Sequence, residues 1–167
     1  YTSLLYDDDY AGSQIKAQAD YTLSIGGGHD KRFASDLIYG DDLVSELGLN
    51  TATTRDLMPM GHTHDYVFHT SSATDEDGKS QMVYTDALGR KIAQVGFVNA
   101  LKTQKAVTLF VYNAQRLLQK TINPEGQVTS QAYNKLGWVI STSNPDEGET
   151  RFMYDYSGKP VLTQTQK

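Results

Sequence analysis

The sequence predicts an all-β protein built from antiparallel β-hairpins, because one short pattern recurs in its C-terminal half. A tyrosine, or a residue in its place, is followed by a polar residue and, a few positions later, by a glycine. The three copies are Thr85–Arg90, Tyr133–Trp138 and Tyr154–Lys159. A fourth, imperfect copy begins at Tyr112, which makes Tyr112, Tyr133 and Tyr154 successive members of a series with a spacing of 21 residues. Such a fixed period is typical of proteins in which each unit stacks on its neighbours.

Turn signals separate the strand-length segments of this half: Asp75–Gly78, Asn123–Gly126 and Asn144–Gly148. A proline after asparagine presets φ for the turn, and glycine supplies the left-handed conformation at its end. The segments between them are rich in threonine, valine and aromatic residues, as half-buried strands are. We interpret Tyr133–Gly137 and Tyr154–Gly158 as a second kind of turn, in which a hairpin closes with a glycine bulge. Each unit then holds two strands of about six residues and two turns.

Residues 1–74 are predicted to be a β-rich N-terminal segment, and whether they contain further, more degenerate repeats is left open. Residues 41–48 begin with aspartates and end with glycine, as a short helix does. Equally, residues 35–39 and 43–49 would form one more hairpin around Gly40, and we favour the hairpin because strands are predicted elsewhere. Residues 75–167 are assigned to the repeat region, with a polar insertion at Val95–Lys105 that is expected to form a loop.

Composition excludes little but favours a polar β-protein. The chain has 167 residues, of which 38% are hydrophobic, and its 11 tyrosines outnumber 5 phenylalanines and 1 tryptophan. Tyrosine suits strand positions where the ring packs and the hydroxyl stays wet. The net charge of −5 argues against a nucleic-acid partner, which requires clustered lysine and arginine. The absence of cysteine decides nothing about the redox compartment.

The chain starts at Tyr1 without a signal peptide and ends directly after a strand-like segment. No apolar run approaches the roughly 20 residues that a transmembrane helix needs. We expect the sequence to be an interior segment of a larger protein. Because a cut sheet exposes unpaired edge strands, we expect it to occur with the remainder of its own chain or with a partner such as a secretion-system or carrier protein.

The repeated units resemble the YD repeats of the bacterial Rhs proteins, a family related to the teneurins. The family pattern is Tyr-Asp-x-x-Gly-Arg, and the matches are Tyr133-Asn-Lys-Leu-Gly-Trp, Tyr154-Asp-Tyr-Ser-Gly-Lys and Thr85-Asp-Ala-Leu-Gly-Arg. The resemblance covers about residues 75–165. Thr85 replaces the tyrosine of its unit, although Tyr84 stands beside it, and the copy that begins at Tyr112 lacks the glycine.

This resemblance implies a structural role. In the family, the repeats form a long β-strip that spirals into a hollow shell, which commonly encloses a C-terminal toxin or effector. It therefore implies a scaffold of a secreted or cell-surface bacterial protein, which encloses or displays a linked effector, toxin or adhesive domain and has no catalysis or cofactor of its own. The alternative is a β-rich carbohydrate-binding surface module whose tyrosines hold glycans.

The best candidates for chemistry are His62, His64 and His69. On a strand, His62 and His64 would point to one face, as two zinc ligands must, but His69 has the opposite parity. We therefore predict no metal site and regard these histidines as weak candidates. Asp75–Lys79 resembles the start of a calcium loop, but Lys79 stands where an oxygen ligand belongs, so a hairpin turn is the preferred interpretation.

The residues expected to matter are architectural. Glycines would hold left-handed turn positions, where a Cβ costs about 1 kcal/mol or more, and Tyr112, Tyr133 and Tyr154 would form a ladder in which each ring packs on the next unit. Gly137→Val is accordingly expected to destabilise far more than Gly96→Val. The predicted structural positions are Tyr84, Gly89, Arg90, Tyr112, Gly126, Tyr133, Gly137, Gly148, Tyr154 and Gly158.

Overall fold

The structure, a computed structural model, describes residues 3–7, 14–19, 30–59, 61–75, 79–97 and 105–166. Side chains are described from residue 33 to residue 165 within these ranges. The chain is mostly antiparallel β-sheet, which confirms the predicted fold class of antiparallel hairpins. It divides into two compact units, residues 1–107 (unit 1) and 108–167 (unit 2).

The described residues of unit 1 form six strands that pair antiparallel in sequence order. They are β1 (Ser3–Asp7), β2 (Gln14–Ala19), β3 (Asp30–Tyr39), β4 (Val67–Thr74), β5 (Ser80–Thr85) and β6 (Lys91–Phe97). The predicted boundary between residues 74 and 75 lies in the connection from β4 to β5.

A helical insertion connects β3 to β4. It contains α1 (Gly40–Leu47), α2 (Thr51–Leu57) and a 3-10 turn (Thr63–Asp65), and its base is closed by the Gly40 N–H, which donates to the Tyr66 carbonyl at 2.9 Å. The preferred hairpin around Gly40 is therefore wrong, and the short helix is right. Asp41 and Asp42 lie in the first turn of α1, where their negative charges interact favourably with the positive end of the helix dipole. Gly48 ends the helix in the left-handed conformation (φ 63°).

The insertion covers one face of the sheet and creates the core of unit 1. Leu43 of α1 and Met58 after α2 are buried, together with strand residues of the same unit. A Cβ at Gly40 would collide with the Thr63 carbonyl oxygen, so this close approach requires glycine. The buried strand residues are Phe68, Tyr84, Ile92, Ala93 and Val95.

The predicted polar loop at Val95–Lys105 is wrong at both of its ends. Val95 is buried in β6, which continues to Phe97, and Lys105 is the first residue of β7. Residues 98–104 lie outside the described residues. Gly96 interrupts the apolar pattern of β6 but does not end the strand, which continues to Phe97.

Unit 2 contains strands that again pair antiparallel with their neighbours in sequence. They are β7 (Lys105–Tyr112, which begins at the end of unit 1), β8 (Leu118–Ile122), β9 (Val128–Tyr133), β10 (Val139–Asn144), β11 (Gly148–Tyr154) and β12 (Pro160–Gln166). Register shifts occur next to Tyr112, Tyr133 and Tyr154, where each repeat turn begins. Among the described side chains of this unit, the buried apolar ones are Leu109 and Val111.

Candidate functional site

The most distinctive site is a hairpin turn that occurs with the same hydrogen bonds in every repeat. Its first residue is an aspartate or asparagine whose side-chain Oδ1 accepts the backbone N–H of the residue four positions later. The four pairs are Asp86 with Arg90 (2.9 Å), Asn113 with Leu117 (2.9 Å), Asn134 with Trp138 (2.9 Å) and Asp155 with Lys159 (3.0 Å). The second residue of the Tyr-Asp pattern is thus a cap that holds the turn closed.

Two backbone hydrogen bonds complete each turn. The N–H of the first residue donates to the carbonyl four positions later, at 2.9 Å in all four copies. The N–H of the fourth residue donates back to the first residue's carbonyl, at 2.8 Å for Gly89, 2.8 Å for Arg116, 3.0 Å for Gly137 and 3.1 Å for Gly158. The N–H groups of the first, fourth and fifth residues are therefore all bonded within the turn.

The fourth residue of each turn has a left-handed backbone conformation. Gly89, Gly137 and Gly158 have φ values of 76°, 81° and 83°. In the copy without glycine, Arg116 takes the same position with φ 66°, and it is the one non-glycine residue with positive φ among the described residues. The sequence pattern did not identify Arg116 as the left-handed residue of its turn, because arginine rarely adopts a positive φ.

The turn at Asn123 has the same geometry, although the sequence suggested two kinds of turn. Its N–H donates to the Gln127 carbonyl (3.0 Å), its Oδ1 accepts the Gln127 N–H (2.8 Å), and Gly126 has φ 81°. Asp75 and Lys79 make the corresponding pair of bonds at 2.8 and 2.7 Å, as the preferred turn interpretation requires, while Gly78 lies outside the described residues.

In the turn from β10 to β11, the left-handed glycine is the fifth residue counted from the asparagine, one position later than in the other turns. Asn144 pairs with Gly148, which has φ 82°, and the Asn144 side chain accepts the Asp146 N–H at 3.1 Å. An asparagine cap and a left-handed glycine therefore close this turn as well.

Arg90, the residue after the glycine of its turn, pairs with the aspartate that begins the same turn. Its Nε donates to Oδ2 of Asp86 at 2.7 Å, and its Nη2 lies 2.6 Å from the same oxygen. Since Oδ1 of Asp86 accepts the Arg90 and Leu88 backbone N–H groups, both carboxylate oxygens are used. Charge-assisted bonds of this kind are stronger than neutral ones.

Successive repeats of unit 2 are joined by tyrosine hydroxyls. Tyr133 donates to the carbonyl of Leu118 at 2.6 Å, and Tyr154 donates to the carbonyl of Val139 at 2.7 Å. Both bonds reach back 15 residues, from the last residue of one strand to the first residue of the preceding strand. Burial raises the pKa of Tyr133. The hydroxyls of Tyr133 and Tyr154 therefore each connect neighbouring strands.

A second contact joins the repeats at the glycine. The ring of Tyr154 lies 5.3 Å from the ring of Trp138 (centroid to centroid), and the Trp138 ring also lies over Gly158. In the preceding repeat, Leu117 stands in the same place relative to Gly137. The residue after the left-handed position thus covers the glycine of the next repeat.

Tyr84 lies outside this tyrosine series. Thr85 and Tyr84 are successive strand residues, so their side chains point to opposite faces. Tyr84 is fully buried on the side of α1, where its hydroxyl donates to the Glu46 carboxylate at 2.8 Å. Burial and this bond raise the pKa of Tyr84. Lys105 donates to the Glu46 carbonyl at 3.2 Å, so Glu46 of α1 is hydrogen-bonded to two strand residues.

The histidines do not have the arrangement that a strand would give them. His62 and His64 lie at the 3-10 turn with their rings stacked 5.2 Å apart, and His69 lies on β4 opposite Leu37 and Thr85. The assumption that His62 and His64 are on a strand is wrong. Within the described ranges, no group of three histidine, aspartate or glutamate side chains is arranged to hold a metal ion.

The fold and the recurring turn together define a β-hairpin repeat protein. No family model matches the chain, and no curated protein matches it. Within the described residues, neither helix is long and apolar enough to cross a membrane.

Among solved structures, the chain is similar to parts of three toxin-complex structures. These are TcdB2–TccC3 without its hypervariable C-terminal region (TM-score 0.47, 14% identity, 91% of this chain), a mutant Tc holotoxin pore of Photorhabdus luminescens (0.47, 13%, 92%) and TcdB2–TccC3–Cdc42 (0.49, 15%, 92%). This chain spans 8% of the length of each of those chains.

Proposed function

We propose that this chain is a structural segment of a secreted or surface-displayed bacterial protein, and that its hairpin repeats enclose a linked effector or toxin domain. One observation carries the proposal: the conspicuous polar groups of the repeats bond to the chain's own backbone. The Asp and Asn side chains close turns, and the hydroxyls of Tyr133 and Tyr154 join neighbouring strands. Side chains that bond to the backbone in this way stabilise the repeat structure. We assign them no catalysis.

The distribution of buried side chains in unit 2 supports a role as part of a shell more than a role as an independent globular domain. In the described part of unit 2, the buried apolar side chains are Leu109 and Val111, and most other strand residues are half-buried or exposed. A sheet with so small a core leaves both of its faces accessible, so that one face can contact solvent and the other can face an enclosed domain. The resemblance of residues 75–165 to Rhs repeats points to the same role.

The alternative, a carbohydrate-binding module, requires tyrosine rings and hydroxyls that are open to a sugar. The hydroxyls of Tyr133 and Tyr154 are already bonded to carbonyls, and Tyr84 is buried. A glycan array tests the alternative. Specific binding that Tyr133→Ala abolishes without loss of fold would favour it over the scaffold.

Limited proteolysis of the parent protein, produced with the sequences that flank this segment, tests enclosure. Mass spectrometry would follow cleavage of the linked domain in the wild type, in Gly137→Val, which disrupts a repeat turn, and in the matched control Gly96→Val. We expect the linked domain to resist cleavage in the wild type and the control, and to be cut in Gly137→Val at the same protease concentration. Cleavage of the linked domain in the wild type as rapid as in Gly137→Val would contradict enclosure.

A further inference from the structure

The two faces of the sheet of unit 1 differ in chemistry. The helical insertion lies on one of them, the front face, where the exposed residues of α1 include Asp41, Asp42 and Glu46. The opposite, back face carries exposed large apolar side chains, and its described strand residues include no carboxylate. The exposed apolar residues are Phe33, Leu37, Tyr39 and Val67. A charged surface suits water, whereas contiguous exposed apolar residues mark surfaces of contact.

Strand register places these apolar residues on one face. Leu37 pairs with His69, and His69 pairs with Thr85. The Thr85 side chain points away from that of its neighbour Tyr84, which contacts α1. Because every second residue of a strand shares a face, the other odd-numbered residues of β3 lie on the back face as well. From its first to its last apolar side chain, the row on β3 is about 20 Å long, at about 3.3 Å per residue.

A trough of about 520 Å³ lies at one end of this row, and its lining includes Phe33, Ala73, Gln81, Gln94, Gly96 and Phe97. Within the described chain, neither backbone conformation nor packing requires glycine at position 96. Its φ is outside the left-handed region, and an added Cβ would meet no atom within 4 Å. A glycine inside a strand often marks a place where a ligand or another backbone approaches closely. Gly96 therefore points to a group that enters the trough.

The lining of the trough fits an extended polypeptide. The rings of Phe33 and Phe97, with the bare backbone of Gly96, form a site for one bulky apolar side chain. The side-chain amides of Gln81 and Gln94 supply donors and acceptors for the peptide groups beside it. A row of about 20 Å corresponds to about six residues of extended chain. Since the described strand residues of the back face include no carboxylate, an apolar segment suits this surface better than a basic one.

We propose that the back face of unit 1 binds an extended apolar segment of the linked domain, with one apolar side chain seated over Gly96. This inference rests on the proposed function and adds to it the surface that the enclosed domain contacts. The front face, with the acidic residues of α1, then faces solvent.

Photo-cross-linking in the parent protein, produced with its flanking sequences, tests this contact. The photoreactive residue p-benzoylphenylalanine would replace Phe33 of the back face in one protein and its neighbour Ala34, which points to the front face, in the matched control. Both residues are exposed, so both proteins should fold. A third protein combines the Phe33 replacement with Gly96→Val, which fills the trough without a clash with described atoms. Mass spectrometry would identify the cross-linked peptides, and limited proteolysis of the same proteins would report enclosure separately.

We expect the probe at position 33 to cross-link to an apolar segment of the linked domain, with a yield at least about fivefold above that of the probe at position 34. Gly96→Val should lower this yield by about fivefold while the linked domain stays resistant to protease, because the site is filled and the fold is kept.

Three results would overturn the inference and leave the proposed function standing, provided that the linked domain resists protease. They are no cross-link to the linked domain from either position, a higher yield from position 34 than from position 33, and cross-links from position 33 only to this segment or to a second copy of the chain. Rapid cleavage of the linked domain in the wild type would instead contradict the proposed function, and this inference with it.

Discussion

The indole ring of Trp138 lies against Gly158 of the next repeat, so closely that a Cβ at Gly158 would stand 2.9 Å from Cζ2 of the ring. Real Cβ atoms do not approach other atoms this closely without a shift of the neighbour. Gly158 is therefore constrained twice, by its left-handed backbone (φ 83°) and by the aromatic ring above it. The lone tryptophan of the chain also provides a fluorescence signal for unit 2.

Gly158→Ala is expected to destabilise more than Gly126→Ala. Both glycines are left-handed (φ 83° and 81°), so each alanine should cost about 1 kcal/mol from the backbone. A Cβ at Gly126 meets nothing within 4 Å, whereas at Gly158 it meets Trp138. Urea unfolding followed by circular dichroism measures both free energies. Equal losses would show that the ring moves aside without cost.

Gly137→Val is expected to lower the free energy of unfolding by more than 1 kcal/mol, since a β-branched residue is strongly disfavoured at a φ of 81°. Gly96→Val is the control because Gly96 lies in β6 with an ordinary φ and nothing within 4 Å of its added Cβ. Valine favours strands, so the control should lose little. Equal unfolding midpoints in urea would contradict the turn assignment.

Arg116→Gly is expected to stabilise the chain by about 0.5 kcal/mol, the relief of left-handed strain less the cost of glycine's freedom in the unfolded chain. Arg116 adopts the left-handed conformation (φ 66°) that glycine holds in the other repeats, and glycine removes the steric cost of the Cβ. Lys135→Gly is the matched control, because Lys135 is an exposed basic residue in an equivalent turn without positive φ. It should destabilise, because glycine gains freedom in the unfolded chain. A loss of stability in Arg116→Gly would refute the assignment.

The Asp155 turn is expected to weaken in acid. The Lys159 backbone N–H, followed by the Ser157 hydroxyl, lowers the pKa of Asp155. A carboxyl with a lowered pKa in the folded state contributes stability above its unfolded pKa, and this contribution disappears as the pH falls through the folded value. Asp155→Asn keeps an acceptor, as Asn134 does in its own turn, but cannot be protonated.

The wild type should therefore be more stable than Asp155→Asn at about pH 5, and this difference should shrink toward about pH 2. Urea unfolding of both proteins across this range measures the difference. A difference that is independent of pH would mean that the carboxylate charge adds nothing to the turn.

The sequence was sufficient for the repeat but not for the contacts between repeats. The period and the glycines predicted the strands and turns, because turn conformation depends on local residue type. The bond from Tyr154 to Val139 depends on strand register, which the period does not determine. The pattern of strands also led to a hairpin where α1 forms, although Asp41, Asp42 and Gly48 are helix signals. The contact between Tyr84 and Glu46 joins residues 38 positions apart, and no local rule predicts it.

The central claim is that tyrosine hydroxyls join each repeat to the one before it. The most direct measurement is the urea unfolding free energy of Tyr133→Phe and Tyr154→Phe, compared with Tyr156→Phe, whose side chain is fully exposed in the same turn as Asp155. We predict a loss of about 0.5–1.5 kcal/mol for each of the first two variants and no measurable loss for Tyr156→Phe. Wild-type stability in both Tyr133→Phe and Tyr154→Phe would contradict the account.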